Sequence, residues 1–398
     1  MDRECEICKL DYSNLRSALP PADRPCSPKV TIADLFAGCG GLSLGMQRAA
    51  HDLDYSLDVR LAVDSDQVAM NVYRESFKSA RIECKPIQEI FDGKSGDPPT
   101  HTESALRSGV GQLDFLLGGP PCQGHSNLNN HSRRDDPRNG LYLYMARAAE
   151  VLYPSIVIIE NVPTVTRDVR ESVKKTIDRL EEAGYTSKQA IVDLWKLGVP
   201  QKRRRHVTIA ALDDGIDVQA IIEELEEPIC EHLPRSVGWA IGDLKDVERS
   251  RLLDKPSTPS DTNQSRINWL FDNDEDDLPN DRRPLCHQSE HSYTAMYGRM
   301  SWNAPAQTVT TGFNSMGQGR YVHPRDRRVI TPHEAARLQM LPDYVDFSSV
   351  QTRESLAKLI GNAVPPPLTF ELGRLLIPRL KETLTSSDVC REVEKIGC

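Results

Sequence analysis

The chain has 398 residues, with 49 Lys+Arg against 58 Asp+Glu for a net charge of −9, and is 38% hydrophobic. That length exceeds one ordinary core, so two domains, or one large domain with a substantial insertion, are expected. The charge argues against a protein that coats nucleic acid indiscriminately but leaves room for a local basic cleft. No apolar run approaches the roughly 20 residues of a membrane-spanning helix, and Met1-Asp2-Arg3-Glu4-Cys5 lacks the basic-then-apolar layout of a signal peptide, so an intracellular, reducing compartment is expected. The ten cysteines are scattered, which points to free thiols. Cys5-Glu6-Ile7-Cys8 has a zinc-knuckle spacing, but no second Cys or His pair completes four ligands nearby in sequence, so no metal is expected.

Strands and helices alternate along the first half. Val30–Phe36 reads as a strand, followed by the turn Ala37-Gly38-Cys39-Gly40-Gly41 and a helix opening at Leu42. Val59–Asp64 is a second strand ending in an acid, and segment 92–112, polar with Gly and two prolines, reads as a loop insertion. Leu113–Leu117, a helix over 141–152, Ser155–Glu160, a helix over 169–183 and a strand at His206–Ala211 continue the alternation. This order predicts an α/β fold with a mostly parallel, doubly wound sheet covered on both faces. From 212 to about 327 the regularity stops, which suggests a smaller irregular domain. At Thr331-Pro332-His333-Glu334 a capping box with Pro at the first helical position restarts a helix, and 366–382 reads as a terminal helix.

The first turn has chemical content. A strand, glycines that let backbone approach a ligand, then a helix N-terminus form a cofactor-binding turn of the Rossmann kind, with Asp64 placed to accept from both hydroxyls of a ribose. Gly38 and Gly40 match the dinucleotide fingerprint, but its third glycine is Ser43, which favours another adenosine-bearing cofactor. The competing reading is a purely structural turn.

In Gly118-Gly119-Pro120-Pro121-Cys122-Gln123-Gly124-His125-Ser126 two prolines stiffen a loop leaving an apolar strand, presenting Cys122 at the sheet edge where ligands bind. A small buried thiol is the alternative. Glu160 closes the run Ile156–Ile159 at the same edge, unless it only caps the next helix. Basic runs occur at Arg133, Arg134 and Arg138, at Lys202–Arg205, and at Arg320, Arg325, Arg327 and Arg328, while 272–277 reads as a solvated acidic loop.

These segments together resemble the C5-cytosine DNA methyltransferases across nearly the whole chain. Asp34–Gly41 matches that family's first motif, Pro120-Pro121-Cys122-Gln123 the nucleophile motif, and Glu160-Asn161-Val162 the next; Gln201, Arg203 and Arg205 match its Q-x-R-x-R element. Arg299–Thr311 and Gly361-Asn362-Ala363-Val364-Pro365 resemble its ninth and tenth motifs.

The resemblance implies a Rossmann-like methyltransferase fold and transfer of a methyl group from S-adenosylmethionine to C5 of a cytosine flipped out of double-stranded DNA. Cys122 would attack C6, Glu160 would contact N3 and the exocyclic amine, and Arg205 with Arg203 would hold O2. Phe36, Gly38, Gly40, Gly41, Asp64, Pro120, Leu141 and Asn362 fall at cofactor positions, and Gln88 or Glu89 stands where the adenine amine is read. Gln123, Ser126, Arg133, Arg134 and Gln201 would meet DNA, and Gln318 would fill the vacated stack. The implied organisation is an N-terminal extension over 1–29, a catalytic domain over 30–211 completed by 355–382, a target-recognition domain over 212–327, a helical hinge over 328–354 and a tail over 383–398. A monomer is expected, with a cognate restriction endonuclease as functional partner, in the cytoplasm of a prokaryote or the nucleus of a eukaryote. Two alternatives are a tRNA methyltransferase, against which stands the lack of a late Cys-Phe-Thr element, and a catalytically silent DNA-binding regulator, against which stand Cys122, Glu160 and Arg205.

Overall fold

A computed structural model describes residues 5–22, 24, 26–121, 137–167, 171–212, 215–288 and 296–396. The chain divides into two compact units. The sheet unit takes Pro21–Val192, Arg204–Glu227 and Pro366–Cys398, and the loop-rich unit takes Met1–Pro20, Asp193–Arg203 and Pro228–Pro365.

Among the described residues the strands are β1 (Lys29–Leu35), β2 (Ser56–Asp64), β3 (Ile82–Cys84), β4 (Phe115–Gly118), β5 (Ile156–Asn161), β6 (Thr186–Asp193), β7 (Gln201–Lys202), β8 (Arg204–Ala211) and β9 (Ala306–Gln307). Seven form one sheet in the order β3-β2-β1-β4-β5-β8-β6. Neighbours from β3 through β5 are parallel, and β8 runs antiparallel to β5. This is an α/β, Rossmann-like doubly wound sheet whose order reverses between β1 and β4, the position where such folds bind ligands. All six residues of β5 and all four of β4 are buried, as strands covered on both faces require.

On one face Leu35, Val63, Leu116, Val157 and Ile159 pack with Met145, Ala149 and Leu152 of the helix Leu143–Leu152 and with Val173 and Leu180 of the helix Ser172–Glu182. Elsewhere in the unit the helix Gly41–Asp52 packs on the C-terminal helix Pro367–Ile396, where Thr369 Oγ1 donates to the Leu42 carbonyl at 2.7 Å.

In the loop-rich unit β7 and β9 form a two-stranded parallel pair. The capping box read at Thr331 and Glu334 is present on the helix Pro332–Leu338, and Glu334 also takes both terminal nitrogens of Arg328 at 2.7 Å.

The expected loop over 92–112 is corrected: His101–Val110 is a helix, opened by a capping box between Thr100 and Glu103. Its buried face consists of Leu106, Val110 and the carboxylate of Glu103, so apolar periodicity underestimates it. Glu103 is fully buried and accepts from Arg147 Nε at 2.9 Å and Nη2 at 2.5 Å, and from the Gly93 and Thr100 amides at 3.0 and 2.9 Å. Strand β6 also escapes local sequence signals, being a mostly exposed polar strand at the sheet edge. Replacing Glu103 with Ala takes one of two carboxylates from the buried guanidinium of Arg147, which keeps Glu150 at 3.1 Å and the Asp97 carbonyl at 2.7 Å, and urea unfolding should show a loss of about 1.5–3 kcal/mol; a loss below about 1 kcal/mol would contradict the pairing's structural role.

Candidate active site

The turn after β1 is built on left-handed backbone. Phe36 has φ +58°, Gly38 +55° and Gly40 +92°. A Cβ at Gly40 would lie 3.1 Å from the Phe77 ring and 3.2 Å from Tyr73, so both conformation and space require glycine there. A Cβ at Gly38 would meet nothing within 4 Å, which marks an open cradle on the turn. The Gly38 amide donates to Asp64 Oδ2 at 2.9 Å and the Asp66 amide to Oδ1 at 2.8 Å, so the carboxylate at the end of β2 is oriented by backbone.

Below the turn lies a buried polar chain that the sequence did not single out. Ser43 donates to Asp34 Oδ2 at 2.5 Å and shares a 2.7 Å hydrogen bond with the Tyr73 hydroxyl. Burial pushes the Asp34 carboxyl up to about 7, with the charge of Asp64 adding to it and Ser43 opposing. The detectable signal was an acid inside an apolar strand. Because the folded-state value lies above the ordinary 3.8, the stability this group contributes is complete below about pH 4 and is lost as pH rises to about 7. Asp34→Asn removes that titration. The stability of the native chain relative to the variant should therefore fall by up to ~4 kcal/mol across this window, followed by chemical unfolding at a series of pH values; a constant difference would refute the assignment.

The second cluster forms where β4, β5 and β8 meet the same edge. Gly118 pairs with Ile159 and Glu160 with Val207, so Glu160 and Arg205, two residues from Val207, share one face of the sheet. Both are nearly buried, and Arg205 Nε lies 2.5 Å from Glu160 Oε1. Asn161 Nδ2 donates to the Pro120 carbonyl at 3.1 Å, fastening the start of the Pro-Pro loop to the end of β5. Cys122, Gln123, Ser126, Arg133 and Arg134 lie outside the described residues. Leu141 packs half-buried against the sheet core. Gln88 and Glu89 are both exposed on the short helix Ile87–Ile90 after β3.

Other expected site residues are engaged differently, all within the loop-rich unit. Arg203, expected beside Arg205 at cytosine O2, is buried and donates to the carbonyls of Val309 at 2.8 Å, Ala363 at 3.3 Å and Gly361 at 3.5 Å. Gln201, expected at DNA, is fully buried: Nε2 donates to the Leu338 carbonyl and to Gln339 Oε1, and Oε1 accepts from the Val309 amide. Both side chains hold backbone in place because their donors and acceptors meet backbone and a buried amide. Asn362 ends the helix Arg353–Asn362 and is exposed, as is Gln318.

The acidic stretch 272–277 is exposed, as read, but its carboxylates are paired: Asp272 with Arg327 at 2.7 Å, Asp274 and Asp276 with Arg299 at 3.0 and 3.1 Å, and Asp277 with Arg320 at 2.5 Å. Replacing Arg203 with Ala should lower the unfolding free energy by about 2–4 kcal/mol, because three carbonyls lose a charged donor. Replacing exposed Arg204 should change it by less than ~0.5 kcal/mol in the same urea titration; equal losses would refute the contrast.

A sheet of this order, with a glycine turn and an acid on adjoining strand ends, is a scaffold that binds ligands at that edge. The family model "C-5 cytosine-specific DNA methylase" matches residues 30–377. The Type II methyltransferase M1.BsuMI of Bacillus subtilis (strain 168) is 40% identical over 364 residues, covering 91% of this chain and 84% of that one. The Type II methyltransferase M.XorII of Xanthomonas oryzae is 29% identical, covering 88% and 85%. Among solved structures, a putative DNA modification methyltransferase from an Escherichia coli prophage superposes with a TM-score of 0.61 at 24% identity, covering 88% of this chain and 99% of that one, a likeness of fold. The chain belongs to the C-5 cytosine-specific DNA methylase family. It is an enzyme of the methyl-transfer class, and among the described residues no helix is long and apolar enough to cross a membrane.

Proposed function

We propose that the chain methylates C5 of cytosine in double-stranded DNA with S-adenosylmethionine as donor, through a covalent bond from Cys122 to C6. The observation that carries this reading is the Glu160–Arg205 pair at the edge where the Pro120 carbonyl is tied down by Asn161. The turn after β1 suits the adenosyl part of the donor. Gly38 leaves a cradle that a side chain would fill, and the Asp64 carboxylate is held in a fixed orientation suited to ribose hydroxyls. Phe36 would pack on adenine, Gly38, Gly40 and Gly41 would border the methionine part, and Pro120 and Leu141 would close the pocket.

When bound, S-adenosylmethionine supplies an electrophilic methyl group on a sulfonium sulfur. The residues of the chain do the rest. The cytosine leaves the stack, at a few kcal/mol of unstacking. The Cys122 thiolate forms a bond to C6, and the displaced electron pair makes C5 nucleophilic. Glu160 holds a proton at N3, and Arg205 stabilises charge gathering on O2. After C5 carries the methyl group, water takes the C5 proton, the electron pair restores the 5,6 double bond, and the C6–sulfur bond breaks to free Cys122.

The type II names of the relatives support a role as the modification half of a restriction–modification pair whose companion endonuclease cuts the same site unmethylated; the enzyme would work in the cytoplasm as a monomer. The test offers radiolabelled S-adenosylmethionine with duplex DNA and, separately, tRNA. Label is expected in DNA; label in tRNA alone, or in neither, overturns the reading. Cys122→Ser should abolish transfer while cofactor binding, measured by calorimetry, is retained. Gly38→Ala should weaken cofactor binding at least tenfold for only about 1–2 kcal/mol of stability. Unchanged affinity would remove this turn from the cofactor site.

A further inference from the structure

Three cysteines far apart in sequence meet in the loop-rich unit. The sulfurs of Cys5, Cys8 and Cys230 all lie within 4.8 Å of one another, and among the described residues this is the one cluster with metal-binding geometry. Cys8 Sγ and Cys230 Sγ are 3.6 Å apart, far beyond the ~2.05 Å of a disulfide. Two sulfurs each ~2.3 Å from one tetrahedral zinc ion stand ~3.8 Å apart, close to the separation seen.

Backbone N–H groups and one guanidinium surround the sulfurs. Cys5 is the N-cap of the helix Glu6–Leu15, and the backbone N–H groups of Cys8 and Ile7 face its sulfur. The His232 amide faces Cys230 in the same manner, two residues on. Arg235 is fully buried, pairs with Asp11 at 2.6 Å and turns Nη2 toward Cys8 Sγ at 3.7 Å, a donor to sulfur of the kind that supports metal-bound thiolates. Cys8 itself is fully buried, whereas Cys5 and Cys230 are half-buried, so an ion can enter from their side. His232 is exposed and stands two residues beyond Cys230, giving a Cys-x-x-Cys pair and a Cys-x-His pair. His232 lies outside the three-sulfur cluster as it stands; turned inward, it would make a fourth ligand of the softness zinc takes.

We propose that Cys5, Cys8, Cys230 and His232 bind one structural zinc ion. It joins the helix Glu6–Leu15 to the segment that begins at Pro228, and three thiolates with a divalent cation leave one negative charge beside Arg235. The ion has no part in methyl transfer.

The full chain, purified from zinc-sufficient medium without chelator, should carry one zinc per chain by elemental mass spectrometry. Cys8→Ser and Cys230→Ser should lose it, and Cys26→Ser, at an exposed cysteine outside the cluster, should keep it. His232→Ala should weaken zinc at least tenfold in competition with a chromophoric chelator. Since the cysteine variants can fail by misfolding, cobalt(II) exchanged into the unmutated chain provides an independent readout, with thiolate charge-transfer bands and strong tetrahedral d–d absorption expected. A chain that holds no zinc and takes up none when it is added, octahedral cobalt spectra, full zinc affinity in His232→Ala, or a Cys8–Cys230 disulfide in the freshly isolated protein would each overturn the assignment.

Discussion

The parallel pairing of β4 between β1 and β5 is the constraint on which the rest of the site depends. Leu35 stands beside Gly118, and Gly118 beside Ile159, so three chain segments must leave the sheet together at one edge. The glycine turn, the Pro-Pro loop and Glu160 are the next residues out. A slip of one residue between β5 and β8 would turn Glu160 to the face opposite Arg205. The register is held by apolar side chains buried on both sides, so hydrophobic packing fixes the positions of the polar groups.

Backbone then refines what the sheet positions. Asp64 is aimed by two amides, and the Pro120 carbonyl is anchored by Asn161. The antiparallel return of β8 brings Arg205 back to that edge from the opposite chain direction. A guanidinium and a carboxylate close together in a nearly dry setting hold each other in place, and either one alone would carry a large desolvation penalty.

The central strands of the sheet and the turn after β1 could be read from the sequence because their signals are local: continuous apolar runs, paired glycines and an acid at a strand end. The helix His101–Val110 was hidden because one of its core-facing residues is a carboxylate whose partner, Arg147, lies 44 residues on. Arg203 and Gln201 were legible as a motif but not as to what they touch. Their partners at Val309, Leu338 and Ala363 are brought near only by the fold. Cys230 was invisible for the same reason, since ligand spacing along the chain says nothing of a third cysteine more than 200 residues away. The acidic stretch is solvated as read, but its ion pairs were not legible, because its arginines lie tens of residues further along the chain.

The chain passes between its two units at residues 20/21, 192/193, 203/204, 227/228 and 365/366. This interleaving bears on modularity. A contiguous segment such as 228–365 is not a self-sufficient cassette: excised, it leaves behind the strip 193–203, and with it the buried amide of Gln201 and the guanidinium of Arg203 that organise its carbonyls. It also leaves behind the N-terminal helix whose Asp11 neutralises Arg235. Exchange of the loop-rich unit between relatives would therefore have to carry three separated stretches of gene at once, or find them already compatible in the host.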